Sequence, residues 1–215
     1  WNASSPNNAR AFAGDPNCPK QTQASLAVSA DGENWLLLNA SPDIRQQIIA
    51  TPELHPQTGL RSSPIKAVAL TGADVDAVTG LLTLRRQFAA KSSKALGTVY
   101  AGNGIFLPRI SPGGQVSDRM ARIKREYEAT GGMVVDVTKP VEILPGVWLT
   151  GPVPRVHPER NWSSVGKVRT GSGDVEDTVP EDMTLVIQTA QGPVYLFGCG
   201  HAGVINTLEH ARKTI

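Results

Sequence analysis

A chain of 215 residues with 40% hydrophobic residues can bury a core without disulfide or metal staples. Its 21 basic and 19 acidic residues leave a formal charge of +2, which gives no electrostatic ground for a nucleic-acid partner. No apolar run approaches the roughly 20 residues that cross a bilayer, and two cysteines, Cys18 and Cys199, do not make a secreted disulfide framework, although one bridge between them stays open.

The first residues, Trp1-Asn2-Ala3-Ser4-Ser5, show no targeting pattern, which points to a cytoplasmic chain, and they lack a Met, which points to processing or truncation. Residues 1–24 are rich in Asn, Pro, Ser and Ala and read as loop. The alternating run 25–30 and the apolar run 35–39, joined by Asp31-Gly32, predict a hairpin. Ser41-Pro42-Asp43 predicts a helix start, with Pro42 at the first position and Ser41 as cap. Residues 65–70 predict a buried strand and 78–84 a helix. A short strand follows at 98–101. Residues 117–129 form an amphipathic helix with Met120, Ile123 and Tyr127 on one side, ended by Gly131-Gly132. Its basic cluster, Arg119, Arg122, Lys124 and Arg125, reads as a solvated face.

Strands follow at 133–137, 141–143 and 147–150. Residues 152–180 read as a long loop, of the kind that is commonly functional. A second hairpin spans 184–197, and residues 206–213 close with a helix. Hairpins alternating with strand–loop–helix units predict mixed sheets covered by helices.

The segment Leu70-Thr71-Gly72-Ala73-Asp74-Val75-Asp76-Ala77-Val78-Thr79-Gly80 lies where a buried strand ends and a helix begins, a common place for a ligand. It resembles the metal loop of the metallo-β-lactamase superfamily, His-x-His-x-Asp-His-x-x-Gly. The ligand positions then fall on Gly72, Asp74, Asp76 and Ala77. Two of the four carry a carboxylate, while Gly72 and Ala77 offer no donor. A purely structural alternative has Asp74 and Asp76 capping the following helix.

The resemblance sharpens in two directions. Leu38-Asn39-Ala40-Ser41-Pro42-Asp43-Ile44-Arg45, with Gln21 to Ser29 before it, is similar to the pyrroloquinoline quinone biosynthesis protein B family over roughly residues 1–86. That family carries cysteines after its Trp-Asn, whereas this chain reads Ala3-Ser4-Ser5. Phe106-Leu107-Pro108-Arg109, Pro145 to Gly151 and the run Gly198-Cys199-Gly200-His201-Ala202-Gly203-Val204-Ile205-Asn206-Thr207 resemble dihydropterin-phosphate synthase-related metallohydrolases. That likeness makes His201 a metal ligand. It also expects a His-Pro after Tyr100-Ala101, where Gly102-Asn103 stand.

The resemblance implies one α/β domain over 1–215, an αββα sandwich of two mixed sheets with outer helices, built from half-units 1–86 and 87–215. The family's opening strand and closing segment are missing at the two ends. Two branches in one chain, both short of ligands, suggest a chimera or a metal-stripped engineered variant; a natural degenerate relative is the alternative. Asp74, Asp76 and His201 form the implied metal set, with Asp76 also catalytic, and zinc or another divalent metal is held weakly or not at all. The implied function is a metal-dependent hydrolase acting on an ester, lactone or phosphoester. The alternatives are a metal-free scaffold and a role in pyrroloquinoline quinone biosynthesis. A small-molecule substrate and self-association into a homodimer or larger homo-oligomer are expected; nucleic acid and membrane are not. His55, His157 and His210 read as solvated, and Cys199, after an apolar strand, as a buried inert thiol.

Overall fold

The computed structural model describes residues 5–59, 62–89, 92–163 and 165–215. The first sheet has five strands, β1 (Leu26–Val28), β2 (Trp35–Leu38), β3 (Ile65–Leu70), β4 (Thr98–Gly102) and β7 (Met133–Val137), in the order β1-β2-β3-β4-β7. β1 and β2 form the antiparallel hairpin; β2, β3, β4 and β7 are parallel. The apolar runs of the parallel strands follow from burial on both faces. Leu37, Val68 and Val99 pack toward the helices, while Leu36, Leu38 and Ala69 pack against a second sheet. That alternation is the period of two that a strand imposes.

The second sheet orders β13 (Gly192–Leu196), β12 (Leu185–Thr189), β9 (Val147–Leu149) and β8 (Val141–Leu144). All its pairings are antiparallel, so one sheet of the sandwich is mixed and the other is not. Its Val147, Leu149, Met183 and Leu185 meet Leu36, Leu38 and Ala69, so both half-units share one core. Each such side chain, fully buried, contributes about 1.5–3 kcal/mol. The helix-side core joins Ile44, Leu81, Leu84, Met120 and Tyr127 from α2 (Ile44–Ile49), α4 (Gly80–Ala89) and α5 (Arg119–Glu128). α3 (Val75–Val78) precedes α4 directly.

Three expectations need correction. Residues 6–12 are not loop; Pro6–Phe12 form α1, with Pro at the helix start. The second helix begins at Ile44 rather than Pro42, because Ser41 is buried with its hydroxyl on Gln47 Oε1 at 3.1 Å and makes no cap. The segment 152–180 contains a hairpin, β10 (Lys167–Thr170) and β11 (Gly173–Glu176). It pairs with β5 (Arg109–Ile110) and β6 (Val116–Ser117) into a third, antiparallel sheet. These strands are short and mostly polar because they lie at the surface, which left no alternation to read.

Candidate metal centre

Three loop ends are tied together at one edge of the sandwich. Asn39, at the end of β2, adopts φ +64 and turns its amide onto Thr71: Oδ1 accepts the Thr71 N–H at 3.0 Å, and Nδ2 donates to Thr71 Oγ1 at 3.0 Å. Thr71 in turn lies against Gly198, just after β13, where a Cβ would collide with the hydroxyl. Gly80 is likewise required, since a side chain there would strike the Ser41 carbonyl. The runs that carried the family resemblance, 38–45, 70–80 and 198–207, are therefore one packed unit.

This unit brings Asp74, Cys199 and His201 together, with one ligand atom from each inside 4.8 Å of the others. Asp74 is the N-cap residue of α3 but makes no side-chain cap bond, so its carboxylate is free to turn outward. Its Oδ2 stands 3.4 Å from His201 Nε2 and 3.5 Å from Cys199 Sγ. The other ring nitrogen of His201, Nδ1, lies 2.6 Å from the Asn161 carbonyl oxygen. A carbonyl only accepts, so Nδ1 carries a proton and Nε2 is the atom presented to Asp74. Facing the carboxylate and the thiol, with the Asn161 carbonyl behind, the ring is pushed up to about 11 against the opposing effect of burial. Asp74 is held below the ordinary carboxylate range, chiefly by His201.

The donor set suits a zinc-like ion. Oxygen, sulfur and nitrogen ligands at about 2.0–2.3 Å in a tetrahedron stand about 3.3–3.8 Å apart, and the two contacts made by Asp74 Oδ2 fall in that interval. Cys199 is exposed and unpaired, not a buried inert thiol, because the strand ends before it and the loop turns it to the rim. Cys18 is also unpaired, its sulfur on the Asn7 carbonyl, so no bridge joins the two.

Asp76 sits half-buried in the first turn of α3, outside the three-atom group. Gly72 is buried, yet a Cβ placed there would meet only Asp74 Oδ2, in ordinary contact at 3.9 Å. Ala77 is buried in the helix-side core. Gly102 is a different matter: the Glu181 carbonyl occupies the place of any side chain, so glycine is demanded there by packing. His157 pairs with Glu209 at 3.1 Å, and His55 and His210 are half-buried against the carbonyls of Ile49 and Thr150.

Behind His201 lies a shell that sequence reasoning did not single out. Asp182 is buried, and its Oδ2 accepts the Ala202 N–H at 2.7 Å. Burial raises its pKa against that bond. Asn206, 2% exposed, accepts the N–H groups of Val156 and His157 on Oδ1 and donates from Nδ2 to the carbonyls of His157 and Ala202. Glu159 accepts the N–H groups of Ile205 and Asn206 at the start of α6 (Val204–Thr214). The charged pair Glu181-Asp182 just before an apolar strand was the available signal for part of this shell.

Residues 34–138 match the model described as a beta-lactamase superfamily domain. Over those residues the chain carries a beta-lactamase superfamily domain, and it has the metallo-β-lactamase fold. It is 38% identical over 214 residues to "Coenzyme PQQ synthesis protein B" of Methylorubrum extorquens, covering 97% of this chain and 63% of that protein. The protein of the same name from Methylobacterium nodulans is 40% identical over 173 residues, covering 80% of this chain and 57% of the relative. The crystal structure of Zn(2+)-bound PqqB from Methylobacterium extorquens superposes with a TM-score of 0.62 at 34% identity, over 91% of this chain and 58% of that one. This chain thus spans about six-tenths of these relatives' length. The likeness to the Methylorubrum extorquens protein runs through both halves, so the likeness to two branches needs no chimera. Among the described residues, no helix is long and apolar enough to cross a membrane.

Proposed function

We propose that this chain serves the synthesis of pyrroloquinoline quinone, as the names of its relatives suggest, through a divalent metal centre held by Asp74, Cys199 and His201. The observation that carries this reading is the convergence of three donors of different type, from loops 125 residues apart, in a chain similar to a protein solved with zinc. Relative to the set expected from sequence, Cys199 takes the place of Asp76. An ion held there would supply Lewis acidity. Asn161 fixes the His201 tautomer so that Nε2 is offered to the ion, and Asp182 pins the loop that carries the ring. Hydrolysis of an ester, lactone or phosphoester has only the shared fold behind it, and fold does not choose the chemistry. A small-molecule substrate, a cytoplasmic setting, which the two unpaired thiols favour, and self-association belong to the same proposal.

Elemental analysis after equilibration with zinc tests the centre. One equivalent bound to the chain, lost in Asp74→Ala and His201→Ala, is the expected result; equal zinc in all three sinks it. Complementation of a bacterium lacking its PQQ synthesis protein B tests the pathway, with restored cofactor production expected. Light scattering tests assembly: a dimer mass supports self-association and a monomer mass removes it.

A further inference from the structure

A cavity of about 350 Å³ opens beside Asp74, between α3, β5, β6, the start of α5 and the segment 177–181. Asp74 therefore belongs both to the donor cluster and to the cavity wall. Two arginines line it, and they differ. Arg109 is closed off: it pairs with Asp177 at 2.7 Å and with Glu181, and donates to the carbonyls of Gly104 and Leu107. Arg119 is half-buried and donates to the Ala73 carbonyl, but among the described residues it has no ion pair within 4.0 Å. Its charge adds the last of the influences that lower the Asp74 carboxyl. Glu181 also lines the cavity. Glu181 is 1% exposed, and while Oε2 takes Arg109, its buried Oε1 has no hydrogen-bond partner. Leu107, Met120 and Val179 supply apolar wall between them.

We infer that this cavity binds a small organic acid that also carries a hydroxyl or amine, its carboxylate on Arg119 and its donor group on Glu181 Oε1. The inference rests on the metal reading, because a cation on Asp74 would neutralise the carboxylate that Arg119 acts on and leave the guanidinium charge to the ligand. An Arg fork suits a planar carboxylate. A buried acceptor without a partner favours ligands that bring a donor and rejects those that do not.

The probes are 6-hydroxyhexanoate, hexanoate, 1-hexanol and inorganic phosphate, titrated by calorimetry into zinc-loaded and zinc-free protein. The flexible chain of the first lets its two ends find Arg119 and Glu181 whatever their spacing. The expected order is 6-hydroxyhexanoate tightest, hexanoate about threefold or more weaker, and hexanol and phosphate weaker still, since phosphate brings no apolar chain. Zinc loading should tighten hexanoate binding, and Arg119→Gln should weaken it about tenfold while leaving zinc content unchanged. Arg119→Lys, which keeps the charge but loses the fork, should fall between. Zinc bound normally with hexanoate affinity unchanged in Arg119→Gln, or hexanol binding as well as hexanoate, overturns the cavity alone. Phosphate binding more tightly than 6-hydroxyhexanoate overturns the carboxylate assignment. Absence of zinc binding overturns the metal centre and the cavity's ligand together.

Discussion

The two loops that meet at the centre are held in opposite ways. The Asp74 loop ends a parallel strand, and its carboxylate makes no cap bond and is 51% exposed. The His201 loop ends an antiparallel hairpin, and its ring is 17% exposed. It is fastened by Asn161 at the ring, Asp182 at Ala202, and Asn206 and Glu159 at the start of α6. One donor is fastened and the other is not. An ion held here would need only the looser side to move.

Removing the fastening should have the largest effect. Asn206→Ala leaves two N–H groups and two carbonyls without their partner at a buried position, so unfolding free energy should fall by about 2–3 kcal/mol, with zinc affinity lost alongside. Denaturant melts and zinc titration of the folded variant check both, and a stability like that of the parent would show that the tie from Asn206 to residues 156 and 157 bears no load. Gly198→Ala, which drives a methyl into Thr71, should cost about 1–3 kcal/mol by overpacking at the junction of the two loops. Thermal melts settle it.

On the looser side the effects should appear in metal and not in stability. Asp74→Asn should change unfolding free energy by less than about 1 kcal/mol, since an exposed pair contributes little, yet lower zinc affinity markedly. Gly72→His, where a side chain has room, should raise zinc affinity about tenfold or more by adding an imidazole. The companion change Ala77→His forces a ring into the helix-side core and should destabilise instead. Equal behaviour of the two histidine variants would contradict the placement of this loop.

The smallest effect concerns acid. The N–H groups at the start of α6 hold Glu159 below its ordinary value of 4.5. A depressed carboxyl contributes stability above the unfolded value and loses it as pH falls through the folded one. Glu159→Gln should therefore flatten the stability profile below pH 4.5 and leave the metal site intact. An unchanged acid limb of the profile would mean that this contact does not tie Glu159 to the start of α6.

Most of the frame was legible in the sequence. Short apolar runs pointed to β2, β3 and β12, because a strand covered on both faces reads as a continuous apolar run, and helical spacing pointed to α4 and α5. Asp74 and His201 were legible as strand-end residues in recognisable motifs, and their meeting follows from the family likeness. What composition and spacing did not carry was decided in three dimensions. The surface hairpin of β10 and β11 has no apolar period. Cys199 followed an apolar strand, yet its exposure depends on how Gly200, at φ +65, turns the chain. Gly102 looked like a deleted ligand, whereas the Glu181 backbone across the fold requires it to be glycine. Of four clustered basic residues, Arg122 and Arg125 pair on a solvated face and Lys124 covers Phe106, while Arg119 turns to the Asp74 loop. A linear sequence encodes which residues prefer burial, since that preference is local to each side chain. Which donors share an ion, and which cation is left without a partner, is a property of distances between segments, and only the packed chain sets those.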